Sequence, residues 1–416
     1  MKKLITNLIL VTAFFLVMNV GVIGQTAYIT NSGDSTVSVI DVQTNTVVAT
    51  IPVGPNPFGV SVSLDGTKVY VGNGGSNSIS VINTATNTVS ATIFIPTPPN
   101  GLSVSPDGSK LWVGNSGLNM VSVINTIVDT VLANLNISYQ PMGISVTPDG
   151  SKVYVANYFA YSVGAINTST NSLLATIPVL IYPAGITVSQ DGSKVYVAND
   201  YINGVVSVIN TATDTVIASI SDGSWPYGIS ISPDGSRVYV THNHDSTLSV
   251  IDANADTVLT TIIVGLHPVG VSVSPDGSKV YVANSGTNTI SVINTSTNTV
   301  SATIIVGNNP VAFGNFISSA NVGISSLTNT PPILSIYPNP SNGLFTISNN
   351  SQLSSRFNRD NSQLIITDVL GNIIYQQSKV TENTVSIDLR TQANGVYFVK
   401  MITNNETLIG KLVKEN

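Results

Sequence analysis

Residues 268–305 read PVGVSVSPDGSKVYVANSGTNTISVINTSTNTVSATII. Four short runs rich in β-branched residues lie within this stretch, at 270–274, 279–283, 289–294 and 299–304. The turn-forming sequence Pro-Asp-Gly-Ser joins the first run to the second, and Asn-Thr-Ser-Thr-Asn-Thr joins the third to the fourth. The stretch therefore predicts one four-stranded antiparallel sheet with hairpin connections.

The same pattern recurs along the chain with a period of 42 or 43 residues. An Asp-Gly pair marks each full copy, at Asp65, Asp107, Asp149, Asp191, Asp234 and Asp276. A further copy opens at Tyr28, which brings the number to seven. Four strands in about 40–45 residues are typical of a propeller blade. The fold class is therefore all-β, with a seven-bladed β-propeller predicted over residues 25–317.

The two ends of the repeat region complement each other. The first copy begins in the middle of a blade, at the strand containing Tyr28, and lacks an inner strand. A matching inner strand occurs only at Val311–Ile317. We expect this last strand to complete the first blade, because closing the ring removes exposed sheet edges.

The repeated Tyr-Val-Ala-Asn, Ser-Val-Ile-Asn-Thr and Ser-Pro-Asp-Gly-Ser-Lys motifs resemble the YVTN family of β-propeller repeats. The resemblance covers about residues 26–317 and all seven copies. This family is similar to bacterial surface-layer and lactonase-like propellers, so the resemblance implies a fold without fixing an activity.

Residues 1–24 have the features of a signal peptide. Lys2 and Lys3 precede an apolar run, Leu8–Met18, and Val22-Ile23-Gly24 supplies a small-residue cleavage pattern. The alternative is an uncleaved membrane anchor, but the apolar run is too short to span comfortably. We expect cleavage, and no transmembrane segment after it.

The pattern changes beyond the repeats. Residues 318–332, rich in Ser, Asn and Thr and ending in Pro331-Pro332, are predicted to be a linker. Residues 333–416 contain seven short alternating runs without internal repetition. They predict a small immunoglobulin-like β-sandwich.

Three motifs of this second domain resemble the type IX secretion sorting domain. They comprise Pro338, Asn339 and Pro340; Gly395 and Tyr397; and Lys411 and Lys414. The resemblance implies that the type IX secretion machinery is a partner, that the protein crosses a bacterial outer membrane, and that it is secreted or attached to the outer surface. Such domains are often removed after transport. The alternative is an ordinary immunoglobulin-like appendage.

Blade geometry separates two faces of the disc. The turns joining strands one to two and three to four share one face, called here the regular face. The loops joining strands two to three and four to one share the other, the variable face. All six basic residues of the propeller follow an Asp-Gly turn on the regular face: Lys68, Lys110, Lys152, Lys194, Arg237 and Lys279. Because nucleic acids and phosphorylated or acidic ligands need cationic partners, the variable face is not expected to bind them.

Aromatic residues are instead concentrated in the variable loops. The candidate ligand-binding residues are Tyr158, Tyr161, Tyr201, Trp225 and Tyr227. Exposed rings beside Asn, Ser and Asp side chains can stack on sugars and hydrogen-bond hydroxyl groups, which suggests a glycan or a peptide as ligand. The alternative is that these rings fill space between blades.

The three histidines also lie in this region. His242, His244 and His267 could form a metal site with Asp245, for which zinc would be the natural ion. The alternative is an ordinary polar loop, since no fixed metal motif accompanies them. Apart from this site, no cofactor is predicted.

Nothing in the sequence assigns catalytic residues. Glycosidases need two facing carboxylates, and no Gly-Xaa-Ser-Xaa-Gly motif or P-loop is present. The sequence favours a monomeric, exported binding or scaffold protein that uses the variable face. A lactonase-like or metal-assisted hydrolase on the same face and a structural surface-layer component remain the alternatives.

Overall fold

The computed structural model describes residues 25–137, 139–318, 334–337, 341–349, 363–368, 373–378, 384–402 and 407–415. The chain divides into two compact units, residues 1–322 and 323–416, which are treated separately below. The predicted signal peptide, most of the predicted linker and the Pro338-Asn339-Pro340 motif lie outside the described residues.

The first unit is a β-propeller built from seven antiparallel sheets, or blades, each formed by consecutive strands. Blade 1 contains β1 (Thr26–Asn31), β2 (Thr36–Asp41) and β3 (Thr46–Pro52), and blade 2 contains β4 (Pro57–Val62), β5 (Lys68–Asn73), β6 (Ser78–Asn83) and β7 (Thr88–Phe94). Blade 3 contains β8 (Pro99–Val104), β9 (Lys110–Asn115), β10 (Met120–Asn125) and β11 (Thr130–Asn136). Blade 4 contains β12 (Pro141–Val146), β13 (Lys152–Asn157), β14 (Ser162–Asn167) and β15 (Ser172–Pro178). Blade 5 contains β16 (Pro183–Val188), β17 (Lys194–Asn199), β18 (Val205–Asn210) and β19 (Thr215–Ser221). Blade 6 contains β20 (Pro226–Ile231), β21 (Arg237–His242), β22 (Thr247–Asp252) and β23 (Thr257–Ile263). Blade 7 contains β24 (Pro268–Val273), β25 (Lys279–Asn284), β26 (Thr289–Asn294) and β27 (Thr299–Ile305). A short 3₁₀ helix, Tyr158–Ala160, follows β13.

Blade 1 has three strands, and residues 308–318 complete it. The Tyr28 N–H donates to the Phe316 carbonyl at 2.9 Å, and the Val311 N–H donates to the Thr30 carbonyl at 2.8 Å. These contacts confirm the expected closure, although the segment forms isolated bridges rather than a continuous strand. The interruption lies at Ala312, whose φ is +45°, beside Phe313, which bridges to blade 2 instead.

Glycines allow the inner strands to approach each other around the axis. A Cβ atom on Gly228 would lie 2.0 Å from the Val269 carbonyl oxygen of the next blade, closer than any real contact. Five further glycines meet the next inner strand in the same way: Gly59, Gly101, Gly143, Gly185 and Gly270. The repeated glycine is therefore required by backbone proximity rather than by a turn.

The regular face joins neighbouring blades through polar contacts. Lys152 Nζ of blade 4 donates to the Thr211 carbonyl and to Asp214 of blade 5, at 2.7 and 2.8 Å. The Tyr154 hydroxyl donates to the same carboxylate at 2.6 Å. Equivalent contacts join Lys68 to Asp129, Lys194 to Asp256, and Lys279 to Asn45. The last of these links blade 7 to blade 1 and so reinforces the closure.

The second unit contains seven strands: β28 (Leu334–Tyr337), β29 (Leu344–Asn349), β30 (Gln363–Thr367), β31 (Ile373–Ser378), β32 (Thr384–Asp388), β33 (Gly395–Ile402) and β34 (Thr407–Lys414). They form two antiparallel sheets, in the orders β28-β29-β32 and β31-β30-β33-β34. Phe345 and Ile387 of the first sheet share one buried core with Leu364, Val399 and Leu412 of the second. This arrangement is a small β-sandwich, as the sequence predicts.

Candidate ligand-binding pocket on the variable face

A cavity of about 440 Å³ lies on the variable face, lined by the second-to-third-strand loops and by residues at the start of the inner strands. Its lining residues are Ser32, Asn56, Phe58, Asp200, Tyr227, Asn243, His244, Val269, Asn309 and Val311. They come from five blades, so the pocket exists only once the ring has formed. We call it the axial pocket.

A hydrophobic cluster lies beneath the axial pocket. The Phe313 ring is 5.4 Å from that of Phe58 and 5.6 Å from that of Tyr227, with Val269 and Val311 in the same cluster. Phe313 also lines a narrow cavity of about 30 Å³ between the inner-strand glycines. The irregular closing segment thus supplies an aromatic side chain that packs against Phe58 and Tyr227, two residues that line the pocket.

Asp200 occupies a position that all seven blades share. The position is the first residue after the second strand of each blade. Its backbone N–H donates to the carbonyl of the residue just before the proline that begins an inner strand, as Asp200 donates to Tyr182. The seven equivalent residues are Ser32, Gly74, Ser116, Tyr158, Asp200, Asn243 and Ser285. One carboxylate therefore stands in a ring of neutral residues around the pocket.

The Asp200 carboxylate is held in place from the neighbouring blade. The Tyr158 hydroxyl donates to Asp200 Oδ2 at 2.8 Å, and the structure gives this carboxylate no second hydrogen bond from the described residues. Asp200 is 8 % exposed, and burial raises its pKa, while the Tyr158 bond and the charge of His244 act against that rise. Burial, reinforced by the Asp200 charge, also raises the pKa of Tyr227. The site is thus a desolvated carboxylate among aromatic groups.

Two groups of rings lie next to Asp200. In the first, the Tyr182 ring lies 5.1 Å from Tyr158 and 5.4 Å from Tyr161. In the second, Trp225 lies 6.2 Å from Tyr201 and 4.8 Å from His244. Both groups have the tilted or edge-to-face geometry of favourable aromatic pairs. Tyr161 and Tyr201 are about two-fifths exposed, so these rings also form an accessible surface.

Four ring-bearing residues of this surface adopt left-handed backbone conformations. The φ angles are +52° at Tyr161, +56° at Tyr182, +58° at Trp225 and +50° at His267. Asn and Gly adopt this conformation most readily, whereas other L-residues are destabilised by about 1–2 kcal/mol. Backbone preference therefore does not explain the rings, and such strain is typical of functional sites.

The structure does not bring the three histidines together. His242 is buried, with Nδ1 2.9 Å from Thr247 Oγ1 and Nε2 3.2 Å from Asp222 Oδ2. His244 faces Trp225, and its ring is 6.1 Å from that of His267. Across the described residues, no group of three or more His, Cys, Asp or Glu side chains is placed to hold a metal. The physical reason is that His242 occupies the buried position at which the other blades have Asn.

The predicted ligand-binding residues fall into three groups. Tyr227 lines the axial pocket, as does His244, which the sequence suggested as a metal ligand. Tyr158 positions Asp200, whereas Tyr161, Tyr201 and Trp225 belong to the ring groups. Sequence reasoning missed the role of Asp200, although superposing the seven repeats would have marked it as the acidic member of its position. Phe58 and Asn309 carry no such signal, because ring closure brings them to the pocket.

Two of the described sorting-motif residues, Tyr397 and Lys414, contact one turn of the second unit. The Tyr397 hydroxyl donates to the Ala393 carbonyl at 2.6 Å, and Lys414 Nζ donates to Asn394 Oδ1 at 2.8 Å. Gly395 begins β33 immediately after this turn, and Lys411 lies in β34. Tyr397 and Lys414 therefore both stabilise the entry into β33, which pairs with β34 along its whole length.

Comparison with known proteins identifies the second unit and the fold of the first. The family model described as secretion system C-terminal sorting domain matches residues 335–415. Hydrazine synthase of Kuenenia stuttgartiensis is similar in structure, with 23 % identity, a TM-score of 0.60, and coverage of 65 % of this chain and 92 % of that one. A functionally unknown protein from Desulfotomaculum acetoxidans DSM 771 is similar at 17 % identity and the same TM-score, with coverage of 69 % and 99 %. At these identities the likeness concerns the fold alone.

No protein with a curated description matches the sequence. Within the described residues, no helix has the length and apolar character needed to cross a membrane. The sorting domain establishes that the protein is exported through type IX secretion and is located at the cell surface or outside the cell.

Proposed function

We propose that this exported protein is a non-catalytic binding protein whose ligand enters the axial pocket. The observation that carries the proposal is the buried carboxylate of Asp200, which opens into a cavity of about 440 Å³ between two groups of aromatic rings. Cavities of this size are typical of small-ligand sites, and this one combines the apolar side chains of Phe58, Val269 and Val311 with polar groups. The strained rings support the same conclusion, since their cost in stability is not offset by full burial.

The chemistry of the pocket points to a glycan or a peptide. Aromatic rings at its border can stack on a sugar or on an apolar side chain, and Asn56, Asn243 and Asn309 offer amide groups inside it. The basic residues of the propeller are engaged on the regular face, for example Lys152 with Asp214. Nucleic acids and phosphorylated ligands would therefore find no cationic partner here.

We also propose the finer assignment of the chain. Residues 1–24 act as a cleaved signal peptide, residues 25–317 form a YVTN-type propeller, residues 318–332 are a linker, and residues 333–416 carry the sorting function. The sevenfold recurrence of the repeat motifs and the match over residues 335–415 support this division. We expect the exported propeller to act as a monomer, because ring closure leaves no open inner strand.

The test is a binding screen of the full chain against a glycan array and a peptide library. The Asn243→Trp variant fills the pocket, whereas Trp225→Ala and Tyr161→Ala each remove one ring from the two ring groups next to Asp200. Lys110→Ala, on the regular face, serves as the control. We expect Asn243→Trp to abolish binding and the ring variants to weaken it about tenfold each, as loss of an aromatic stacking contact implies. Binding that survives all three variants would contradict the proposal.

A further inference from the structure

We infer that the axial pocket recognises an organic cation, namely a primary ammonium group carried on an apolar body. This inference rests on the proposed function and specifies the ligand of the same site. It follows from three features of the pocket: its charge, its aromatic wall and its free hydrogen-bond acceptors.

Among the described residues, no lysine or arginine pairs with the carboxylate of the pocket, and the nearby imidazole of His244 offsets its charge only in part. Asp200 accepts one hydrogen bond, from Tyr158, although a carboxylate has about four acceptor positions. The groups facing it are the phenols of Tyr158 and Tyr227 and the imidazole of His244. Buried charges in proteins are normally paired, because an unpaired one is strongly destabilising. A ligand cation would supply the missing partner.

Every lysine and arginine of the propeller is engaged elsewhere. On the regular face, lysines contact carbonyls or carboxylates of the next blade, and Arg237 contacts Asp252 of its own blade at 3.0 Å. These residues are Lys68, Lys110, Lys152, Lys194, Arg237 and Lys279. Rearrangement of a lysine or arginine side chain therefore cannot neutralise Asp200, and a full cationic partner would come from outside the domain.

The walls of the pocket suit a cation with an apolar body. Phe58 and Tyr227 line the pocket and are held by their contacts with Phe313. Aromatic faces attract cations and pack against methylene groups. The side chains of Asn56 and Asn309 can accept hydrogen bonds, so an ammonium group with three donors could be satisfied by Asp200 together with these amides.

Other ligands fit less well. A neutral sugar would hydrogen-bond to Asp200 but would leave its charge uncompensated in a desolvated site. A metal ion would need further anionic or imidazole ligands, and among the described residues no group of three is placed to provide them. The combination of one carboxylate with aromatic walls is that of a site for an organic cation.

The test compares an amine with its neutral counterpart by titration calorimetry on the full chain. The probes are benzylamine, benzyl alcohol, and Nα-acetyl-lysine N-methylamide, which presents a lysine side chain. We expect benzylamine to bind about 10- to 100-fold more tightly than benzyl alcohol, as one charge-assisted hydrogen bond to a buried group implies. A preference for the lysine derivative would assign the cation to a peptide, and a preference for benzylamine to a free amine.

Two variants that each remove one negative charge sharpen this test. Asp200→Asn removes the buried carboxylate, whereas Asp245→Asn removes an exposed carboxylate on the same face. We expect Asp200→Asn to abolish the preference for the amine without lowering the melting temperature, and Asp245→Asn to retain the preference. Equal effects of the two variants would mean general electrostatic attraction and would overturn the inference.

The outcomes separate this inference from the proposed function. If benzylamine and benzyl alcohol bind equally and both are excluded by Asn243→Trp, the pocket binds ligands but the cation inference is wrong. If no probe binds at millimolar concentration, the inference also fails, while the array screen still decides the proposed function independently.

Discussion

The two faces of the propeller use the same seven repeats in different ways. On the regular face, charged groups are paired across blades, as Lys152 is with Asp214 and Lys194 with Asp256. On the variable face, the Asp200 carboxylate is buried without a lysine or arginine partner among the described residues, and bulky rings occupy left-handed backbone positions. The difference indicates that the regular face and the inner strands stabilise the ring, which allows the variable face to carry features that are unfavourable for stability.

Blade 6 shows the same contrast at a single site. At the end of the second strand, six blades have an asparagine and blade 6 has His242. In the loop before the inner strand, six blades have Val or Ile, whereas blade 6 has Asp222 at the same position. The two exceptional side chains lie 3.2 Å apart and are 1 % and 0 % exposed. The structure thus places a buried His–Asp pair where the other blades pair an amide with an apolar residue.

The largest effect is expected from breaking this pair. His242→Asn restores the residue of the other blades but leaves the Asp222 carboxylate buried without its partner, which should lower the free energy of unfolding by about 3–5 kcal/mol. The double variant His242→Asn, Asp222→Val should recover most of this loss, because both positions then match the other blades. Urea denaturation of the three proteins measures the effect. A double variant no more stable than the single one would show that the two residues are not coupled.

An intermediate effect is expected on the regular face. Lys152→Met removes hydrogen bonds to Asp214 and to the Thr211 carbonyl, and should lower the free energy of unfolding by about 1–2 kcal/mol. Lys110→Met is the matched control, because Lys110 contacts the Thr168 carbonyl without a carboxylate partner and should lose less. Equilibrium denaturation at low and high salt distinguishes them. Equal losses in both variants at both salt concentrations would contradict a role for the charge pair.

The smallest effect concerns strain on the variable face. His267→Asn introduces the residue found at the equivalent positions 56 and 309, and should raise the free energy of unfolding by about 0.5–1 kcal/mol by relieving the left-handed conformation. The reverse change, Asn56→His, should lower it by a similar amount. Differential scanning calorimetry can resolve both shifts. Stabilisation by Asn56→His would show that the backbone at this position does not disfavour a ring.

Much of the fold could be predicted because the same blade pattern occurs seven times in the sequence. The turn sequences, strand alternation and period predict the blade, and the position of Tyr28 in the first copy predicts the closure. The details of the closing segment could not be predicted. Ala312 and Phe313 depart from the repeat, and their conformation depends on contacts with blade 2 that span more than 250 residues of chain.

The candidate site was predicted in part. The concentration of rings on the variable face follows from the sequence, and Tyr227 and His244 do line the pocket. The role of Asp200 was missed because its neighbours Tyr158 and His244 come from other blades. A three-histidine site was suggested because His242 and His244 are close in sequence, whereas β21 ends at the buried His242 and His244 lies in the turn that follows.

By itself, the sequence determined the repeated blade, the unequal distribution of charge between the two faces, and the sorting domain. These features are local, since each depends on residues within one repeat or on a motif read along the chain. Only the tertiary structure decided that Asp200 is buried, that Tyr158 holds it, and that Phe313 packs against Phe58 and Tyr227 of the axial pocket. Burial and pairing of a charge depend on which blades become neighbours around the ring, and no single repeat contains that information.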